Sequence, residues 1–143
     1  MWSVESVADI PAEPAAVWEL YADPSTWDEW AHSTASARAQ GDISVGEEVI
    51  IQPTRGPEQR VRIVALEPQR RLETELSLPG AIMRFGYEIE PHDQGCSIRH
   101  TVAMVGPLSS VYGLVVRGRN QRELARETAR LRKRFADSGT PEP

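Results

Sequence analysis

The sequence holds few of the side chains from which metal and redox sites are built. Of its 143 residues one is a cysteine, Cys96, and three are histidines, which are not paired at metal-ligand spacing. A lone cysteine cannot form an internal disulfide, and this fits a reducing compartment, so we expect a cytoplasmic location. The composition therefore predicts no metal site and no cofactor.

The common catalytic motifs are missing as well. The chain has no glycine-rich phosphate loop and no G-x-S-x-G nucleophile turn. Two pairs of acids, Asp9 with Asp23 and Asp28 with Glu29, lie beside predicted turns or helix ends, where carboxylates are common as caps. The motifs alone leave open whether the protein is an enzyme.

Long apolar runs are absent, so no membrane-spanning helix is predicted, and the first residues lack the basic and apolar regions of a secretory signal. A net charge of -5 disfavours binding to nucleic acid. With 40% hydrophobic and 26% charged residues, the composition is that of an ordinary globular protein. We expect a single domain over residues 1–136, a flexible tail over residues 137–143, no stable membrane insertion, and a monomer or homodimer.

What the sequence does contain is one long helical pattern near its end. Pro107 precedes it, Ser109 is a suitable N-cap, and no proline interrupts residues 109–135. The spacing predicts a buried face made of Val111, Leu114, Val115, Gly118, Gln121, Leu124, Ala125, Thr128, Leu131 and Phe135. The opposite face, with Glu123, Glu127 and several arginines, is expected to be solvated.

The first half of this helix is locally weak. Gly113 and Gly118 each cost about 1 kcal/mol relative to alanine in a helix interior. Two interpretations follow. Either the helix packs closely at its glycines on a filled core, or its first half lines a cavity.

Ahead of the helix, the hydrophobic pattern has a period of two and predicts strands. A strand over residues 2–9 is followed by two short helices and then by about six antiparallel strands, which makes an α+β domain. In the fourth strand, residues 60–66, apolar residues occur at both parities, as in a strand with a bulge or one buried on both faces. The pattern leaves open whether Arg60 and Arg62 face solvent or the core.

Three stretches carry a resemblance to a known family. They are IPAEPAAVW at residues 10–18 with Asp23 and the WDEW of residues 27–30, GDISVG at residues 41–46, and the strand of residues 95–107 that leads into the helix. The chain resembles the START-like, or SRPBCC, superfamily of polyketide cyclases/dehydrases and lipid-transport proteins. Since these motifs are structural, they transfer no catalytic residue.

The resemblance implies a helix-grip fold, in which a curved seven-stranded antiparallel sheet wraps around a long C-terminal helix and two short helices follow the first strand. It also implies a hydrophobic cavity between sheet and helix for lipids, polyketides, steroids or other apolar molecules. We expect the pocket to be lined by Trp27, Trp30, Tyr21, Met83, Phe85, Tyr87, His100, Met104, Tyr112 and Val115.

His100 is the most informative polar residue, because it shares a strand face with Ile98, Val102 and Met104. One interpretation is a core histidine satisfied by a carbonyl or hydroxyl. The other is a polar group in an apolar cavity that acts with Tyr87, in which case these two residues are the catalytic candidates.

Three functions are consistent with this pattern. The first is the binding or carrying of a small apolar or amphipathic ligand, lipid-like or polyketide-like. The second is a polyketide cyclase/aromatase-like enzyme, which needs several converging polar groups. The third is a protein-interaction module of the chaperone-activator type that uses the outer sheet face or the arginine-rich helix.

Overall fold

The computed structural model describes residues 1–31 and 33–138, and this part of the chain is an α+β structure. Its elements, in chain order, are β1 (Trp2–Ile10), α1 (Pro14–Tyr21), a 3-10 turn (Pro24–Thr26), α2 (Trp27–Trp30), β2 (Thr34–Arg38), β3 (Glu48–Pro53), β4 (Gln59–Glu67), β5 (Arg71–Leu78), β6 (Ala81–His92), β7 (Gly95–Val105) and α3 (Ser109–Ser138).

The seven strands form one antiparallel sheet in the order β1-β7-β6-β5-β4-β3-β2. The sheet curls around one side of α3, and the two short helices follow β1, which confirms the predicted helix-grip fold. α3 extends to Ser138, beyond the predicted end at residue 135 and into the predicted tail. The remainder of that tail, residues 139–143, lies outside the described residues.

The inner face of the sheet is the face that contacts the helices, and the strand registers define it. Tyr87 of β6 lies opposite His100 of β7, and Leu72 of β5 lies opposite Tyr87. Residues two apart from these share the same face, as the pleat requires. The inner face is therefore continuous, and its buried members include Val4, Leu72, Leu76, Met83, Ile89, Ile98, His100, Val102 and Met104.

A bulge in β4 explains why apolar residues occur there at both parities. The register with β5 shifts between Ile63 and Ala65, so Ile63 lies opposite Thr74 while Leu66 lies opposite Leu72. Val61 and Ile63 are buried, whereas Arg60 and Arg62 are exposed. Both arginines thus face solvent.

The short helices bring large aromatic side chains onto the inner face. Proline begins α1, where its missing N–H costs nothing, and Asp23 closes the next turn by accepting from the Ser25 amide at 3.0 Å. Tyr21 at the end of α1 and Trp30 at the end of α2 are both buried. Trp27 is also buried, and its indole N–H donates to the Tyr21 carbonyl at 3.2 Å.

α3 packs mainly on β1 and β7. Thr128 is buried and lies 2.8 Å from the Ser6 hydroxyl, and the Gln121 side chain donates to the Glu5 carbonyl at 2.8 Å. In its second half the helix buries Leu124, Thr128 and Leu131, as predicted, whereas Ala125, which was also predicted to be buried, is exposed.

The predicted face is wrong in the first half of α3. There, the residues turned toward the sheet are Ser109, Tyr112, Val116 and Asn120, while Val111, Leu114, Val115, Gly118 and Gln121 are exposed. The prediction that Glu127 is solvated is also wrong, because its side chain is buried. Both errors come from assigning the face by hydrophobicity, since part of the true face is polar.

Among the described residues, none of the helices is both long and apolar enough to cross a membrane.

Candidate functional site

Three polar side chains from distant parts of the chain meet beneath α3. The Tyr21 hydroxyl lies 2.7 Å from Nε2 of His100, and Nδ1 of His100 lies 2.9 Å from Oε1 of Glu127. Tyr21 and His100 are 0% exposed and Glu127 is 8% exposed. α1, β7 and α3 thus each supply one member of a buried hydrogen-bonded chain, which we call the Tyr21–His100–Glu127 relay.

When Glu127 is ionised and His100 is neutral, the chemistry of these groups determines which atom donates in each hydrogen bond. A carboxylate can only accept, so Nδ1 of His100 carries a proton and donates it to Glu127. Nε2 is then an acceptor, and the Tyr21 O–H donates to it. The relay can pass a proton from a phenol toward an imidazole, which is the arrangement that general acid–base chemistry uses.

Aromatic rings surround the imidazole of His100. Ring centroids of Tyr87, Tyr21 and Trp30 lie 4.9, 5.6 and 5.7 Å from it, and Tyr87 and Trp30 meet it edge to face. Within the described chain, Nε1 of Trp30 is the buried side-chain polar atom that has no hydrogen-bond partner. Such a donor normally finds an acceptor, so this atom marks a position where one is missing.

Burial controls the ionisation of the two tyrosines. It raises the pKa of Tyr21 well above 10.0, because a phenolate is poorly solvated there, and the nearby Tyr87 and the charge of Glu127 act in the same direction. Tyr87 is only partly exposed, and the burial of the rest of its side chain likewise raises its pKa above 10.0, with a further contribution from Glu127. Both hydroxyls therefore remain neutral donors in the folded protein at physiological pH.

These pKa values predict a loss of stability at alkaline pH. A pKa raised in the folded state stabilises it fully below the unfolded value near 10.0, and this contribution declines as pH rises above that value. Each tyrosine should lower the free energy of unfolding by up to about 1.4 kcal/mol per pH unit. Urea unfolding at a series of alkaline pH values measures this slope.

The matched variants are Tyr21→Phe and Tyr87→Phe, which remove one ionisable hydroxyl each. Each variant should reduce the alkaline slope of the free energy of unfolding by up to about 1.4 kcal/mol per pH unit relative to the unsubstituted protein, whatever its effect at neutral pH. A variant that retains the full slope would contradict the assignment of that tyrosine.

The structure brings together four of the residues predicted to line the pocket, namely Tyr21, Trp30, Tyr87 and His100. Trp27 contacts this cluster through Trp30, with ring centroids 6.3 Å apart. The other predicted residues lie farther away. Met83, Phe85 and Met104 follow along the same sheet face. Tyr112 donates its O–H to the Pro79 carbonyl at 2.9 Å, and Val115 is 79% exposed on the outside of α3.

Glu127 is the site residue that sequence reasoning missed. It lies three residues after Leu124 and four before Leu131, which places it on their helix face. Two signals could have identified it. One is its position on the helix face of Leu124 and Leu131, and the other is that a histidine on an otherwise apolar strand face requires a polar partner from the packed helix.

The space beside the relay is filled, but part of the inner face is open. Because Tyr21, Trp30 and His100 are at most 1% exposed, no water-sized space adjoins most of their surface. Partly exposed inner residues continue from the cluster toward the start of α3: Leu78, Phe85, Tyr87, Tyr112 and Val116. We call these five residues the open inner face.

Two concave regions lie elsewhere on the molecule. One, of about 480 Å³, is lined by charged residues that include Arg70, Glu88 and Arg99. The other, of about 340 Å³, is lined in part by Arg38 and Arg60. Neither is lined by a residue of α3, so neither is the cavity expected between helix and sheet.

The curled sheet, the gripped helix and the aromatic residues between them define a helix-grip domain. The chain belongs to the family described as polyketide cyclase/dehydrase and lipid transport, which it matches over residues 1–136. The curated proteins contain no match.

Solved structures with the same fold include proteins of different kinds. The protein MLL2253 of Mesorhizobium loti is 18% identical with a TM-score of 0.72, over 98% of this chain and 100% of that one. The di-domain ARO/CYC protein BexL is 19% identical with a TM-score of 0.73, over 99% of this chain but 48% of its own length. A norcoclaurine synthase from Thalictrum is 12% identical with a TM-score of 0.71, over 97% and 96% of the two chains. At such identities the similarity establishes the fold, and the chemistry must be argued from the residues.

Proposed function

We propose that the protein binds a small apolar or amphipathic ligand between α3 and the inner face of the sheet. Membership of the polyketide cyclase/dehydrase and lipid-transport family supports a ligand of this class. The observation that carries the proposal is the open inner face, where Leu78, Phe85, Tyr87, Tyr112 and Val116 leave apolar surface incompletely covered beside buried polar groups. Mostly apolar walls with a few directed polar groups are typical of small-molecule sites.

The polar groups indicate which end of the ligand lies deepest. Nε1 of Trp30 is a buried donor without an acceptor, and the ring of Tyr87, which is part of the open inner face, lies 5.6 Å from that of Trp30. Rotation of the Tyr87 side chain would admit a ligand oxygen to this donor. The favoured ligand therefore has an apolar body and a carbonyl or hydroxyl oxygen at one end.

Native mass spectrometry of the purified protein, followed by extraction and identification of any bound molecule, tests this function. We expect a co-purifying amphipathic compound, or a thermal shift with a panel of fatty acids and aromatic ketones. Phe85→Ala should weaken binding about tenfold or more, since it removes an apolar contact surface. Val7→Ala, on the opposite face of the sheet, is the matched control and should bind normally. Protein that is ligand-free and shows no shift with any compound would contradict the proposal.

A second candidate function is acid–base catalysis of the cyclase or dehydrase kind. The relay favours it, because the Tyr21 hydroxyl is hydrogen-bonded to Nε2 of His100 and the Tyr21 ring packs 5.6 Å from that of Tyr87, which belongs to the open inner face. The same experiment separates the two functions. A short poly-β-ketone that loses water in the presence of the protein, and does not with His100→Asn, would establish turnover, whereas unaltered recovery of a bound compound would favour a carrier.

A further inference from the structure

One end of the molecule exposes aliphatic side chains to an unusual degree. Leu114 is 89% exposed, Met1 83% and Val115 79%, and Val111 and Leu108 are also exposed. We call these five residues the apolar corner. Scattered exposed apolar residues need no explanation, but a cluster of them marks an interaction surface.

Contacts around the start of α3 show that these residues share one end of the fold. The Trp2 indole donates to the Ser109 carbonyl at 2.8 Å, which places Met1 beside the first turn of the helix. The Leu108 side chain lies against Gly80 in the turn between β5 and β6, and the Leu108 amide donates to the Gly80 carbonyl at 2.9 Å. The chain start, that turn and the start of α3 therefore form a single surface.

The charge of this end is the opposite of the charge of the whole protein. The net charge is -5, yet the segments that build this end contain no aspartate or glutamate: residues 1–4, 78–81 and 105–122. Arg117, Arg119 and Arg122 follow the apolar corner on α3, and all three are exposed. Arg119 pairs with Glu123 at 3.4 Å, whereas in the described chain Arg117 and Arg122 have no acidic partner. The surface is thus apolar at its tip and basic behind it.

We propose that this end docks on membrane surfaces that carry anionic lipids. Aliphatic side chains at the tip would enter the boundary between headgroups and acyl chains, and the arginines one to two turns behind would meet the phosphates. This arrangement gives peripheral binding and requires no spanning helix. The proposal goes beyond ligand binding and does not depend on it.

The same observations disfavour other occupants. A second copy placed on this surface by two-fold symmetry would bring two arginine clusters together, each with Glu123 as its only paired acid in the described chain. Protein interfaces gain most of their affinity from tryptophan, tyrosine and arginine, with leucine and valine under-represented among the energetically dominant residues. The arginines of this surface suit both kinds of partner, but the apolar corner contains neither tryptophan nor tyrosine and consists of leucine, valine and methionine.

Flotation with unilamellar vesicles tests the docking surface. The protein should float with vesicles of phosphatidylcholine plus phosphatidylglycerol and remain in solution with phosphatidylcholine alone. Binding should weaken with salt, because the screening length falls from about 10 Å at 0.1 M to about 3 Å at 1 M.

Leu114→Gln combined with Val115→Gln should reduce binding at least about tenfold. Arg117→Gln combined with Arg122→Gln should reduce binding about fivefold for each arginine.

The controls carry the same substitutions at exposed positions away from this end. Val7→Gln with Val45→Gln, and Arg130→Gln with Arg132→Gln, should bind vesicles as the unsubstituted protein does. Failure of the unsubstituted protein to bind anionic vesicles would overturn the proposal. So would binding that the corner variants leave unchanged, or capture of an acidic protein by a chain that ignores the vesicles.

Discussion

Glu127→Ala should lower the free energy of unfolding by about 2–4 kcal/mol, a large effect for one helix residue. The substitution removes the acceptor of the Nδ1–H of His100, which is 0% exposed and has no access to water. A buried donor without a partner loses its hydration and gains nothing in return. The side chain also fills space beneath α3, so its removal leaves a void beside the relay.

Urea unfolding followed by circular dichroism measures this effect, and two further variants serve as controls. Glu127→Gln retains an oxygen that can accept from His100 and should cost clearly less than alanine. Glu123→Ala removes the same side chain one turn earlier, where it is 18% exposed and contacts Ser33 and Arg119. That change should cost no more than about 1 kcal/mol. Equal losses at both positions would show that the relay contributes nothing specific to stability.

Gly95→Ala should have a comparable or larger effect, about 3–5 kcal/mol, although the new side chain is a single methyl group. Gly95 has φ +140°, which side-chain-bearing residues rarely adopt. A Cβ there would overlap the carbonyl oxygen of Ile10 and lie 3.0 Å from the amide nitrogen of Ala12. These neighbours are backbone atoms where β1 leads into α1, so they cannot move aside without displacing a strand.

Gly56→Ala is the matched control, because it separates backbone strain from overlap. Its φ is +97°, but no atom lies within 4 Å of the Cβ it would acquire. Strain alone predicts a loss of about 1–2 kcal/mol for this variant. If thermal or urea unfolding gives the same loss for both variants, the close contact at Ile10 is not what requires glycine at position 95.

The two proposals meet at one residue. Tyr112 belongs to the open inner face, and its O–H donates at 2.9 Å to Pro79, which is next to the turn against which Leu108 packs. The open inner face is therefore continuous with the end that carries the apolar corner. If both proposals hold, an apolar ligand would pass between bilayer and interior with little exposure to water. The two are tested separately, since vesicle binding needs no ligand and ligand binding needs no vesicle.

The sequence by itself determined the order and type of the elements. The period of two in the strands, the proline-marked short helices and the long uninterrupted helical pattern are local features, and local features are set by neighbouring residues. They sufficed for an α+β domain and for the inner face of β5, β6 and β7, whereas the wrapping of a seven-stranded sheet around the helix was implied only by the family resemblance. The resemblance carried by residues 10–18, 41–46 and 95–107 agreed with the family match.

Tertiary structure decided which face of α3 is buried and what lies beneath it. Glu127 is buried on that face because a distant residue satisfies it: His100, 27 residues away, which is itself satisfied by Tyr21, 79 residues from it. The apolar residues Val111, Leu114 and Val115 are exposed because the sheet lies on the other side of the helix. A prediction from hydrophobicity assumes that polar side chains stay in water, and this assumption fails where a distant residue supplies a hydrogen-bond partner. The hydrogen bond between Glu127 and the distant His100 allows a polar side chain to be buried, and only the packed chain brings those two residues together.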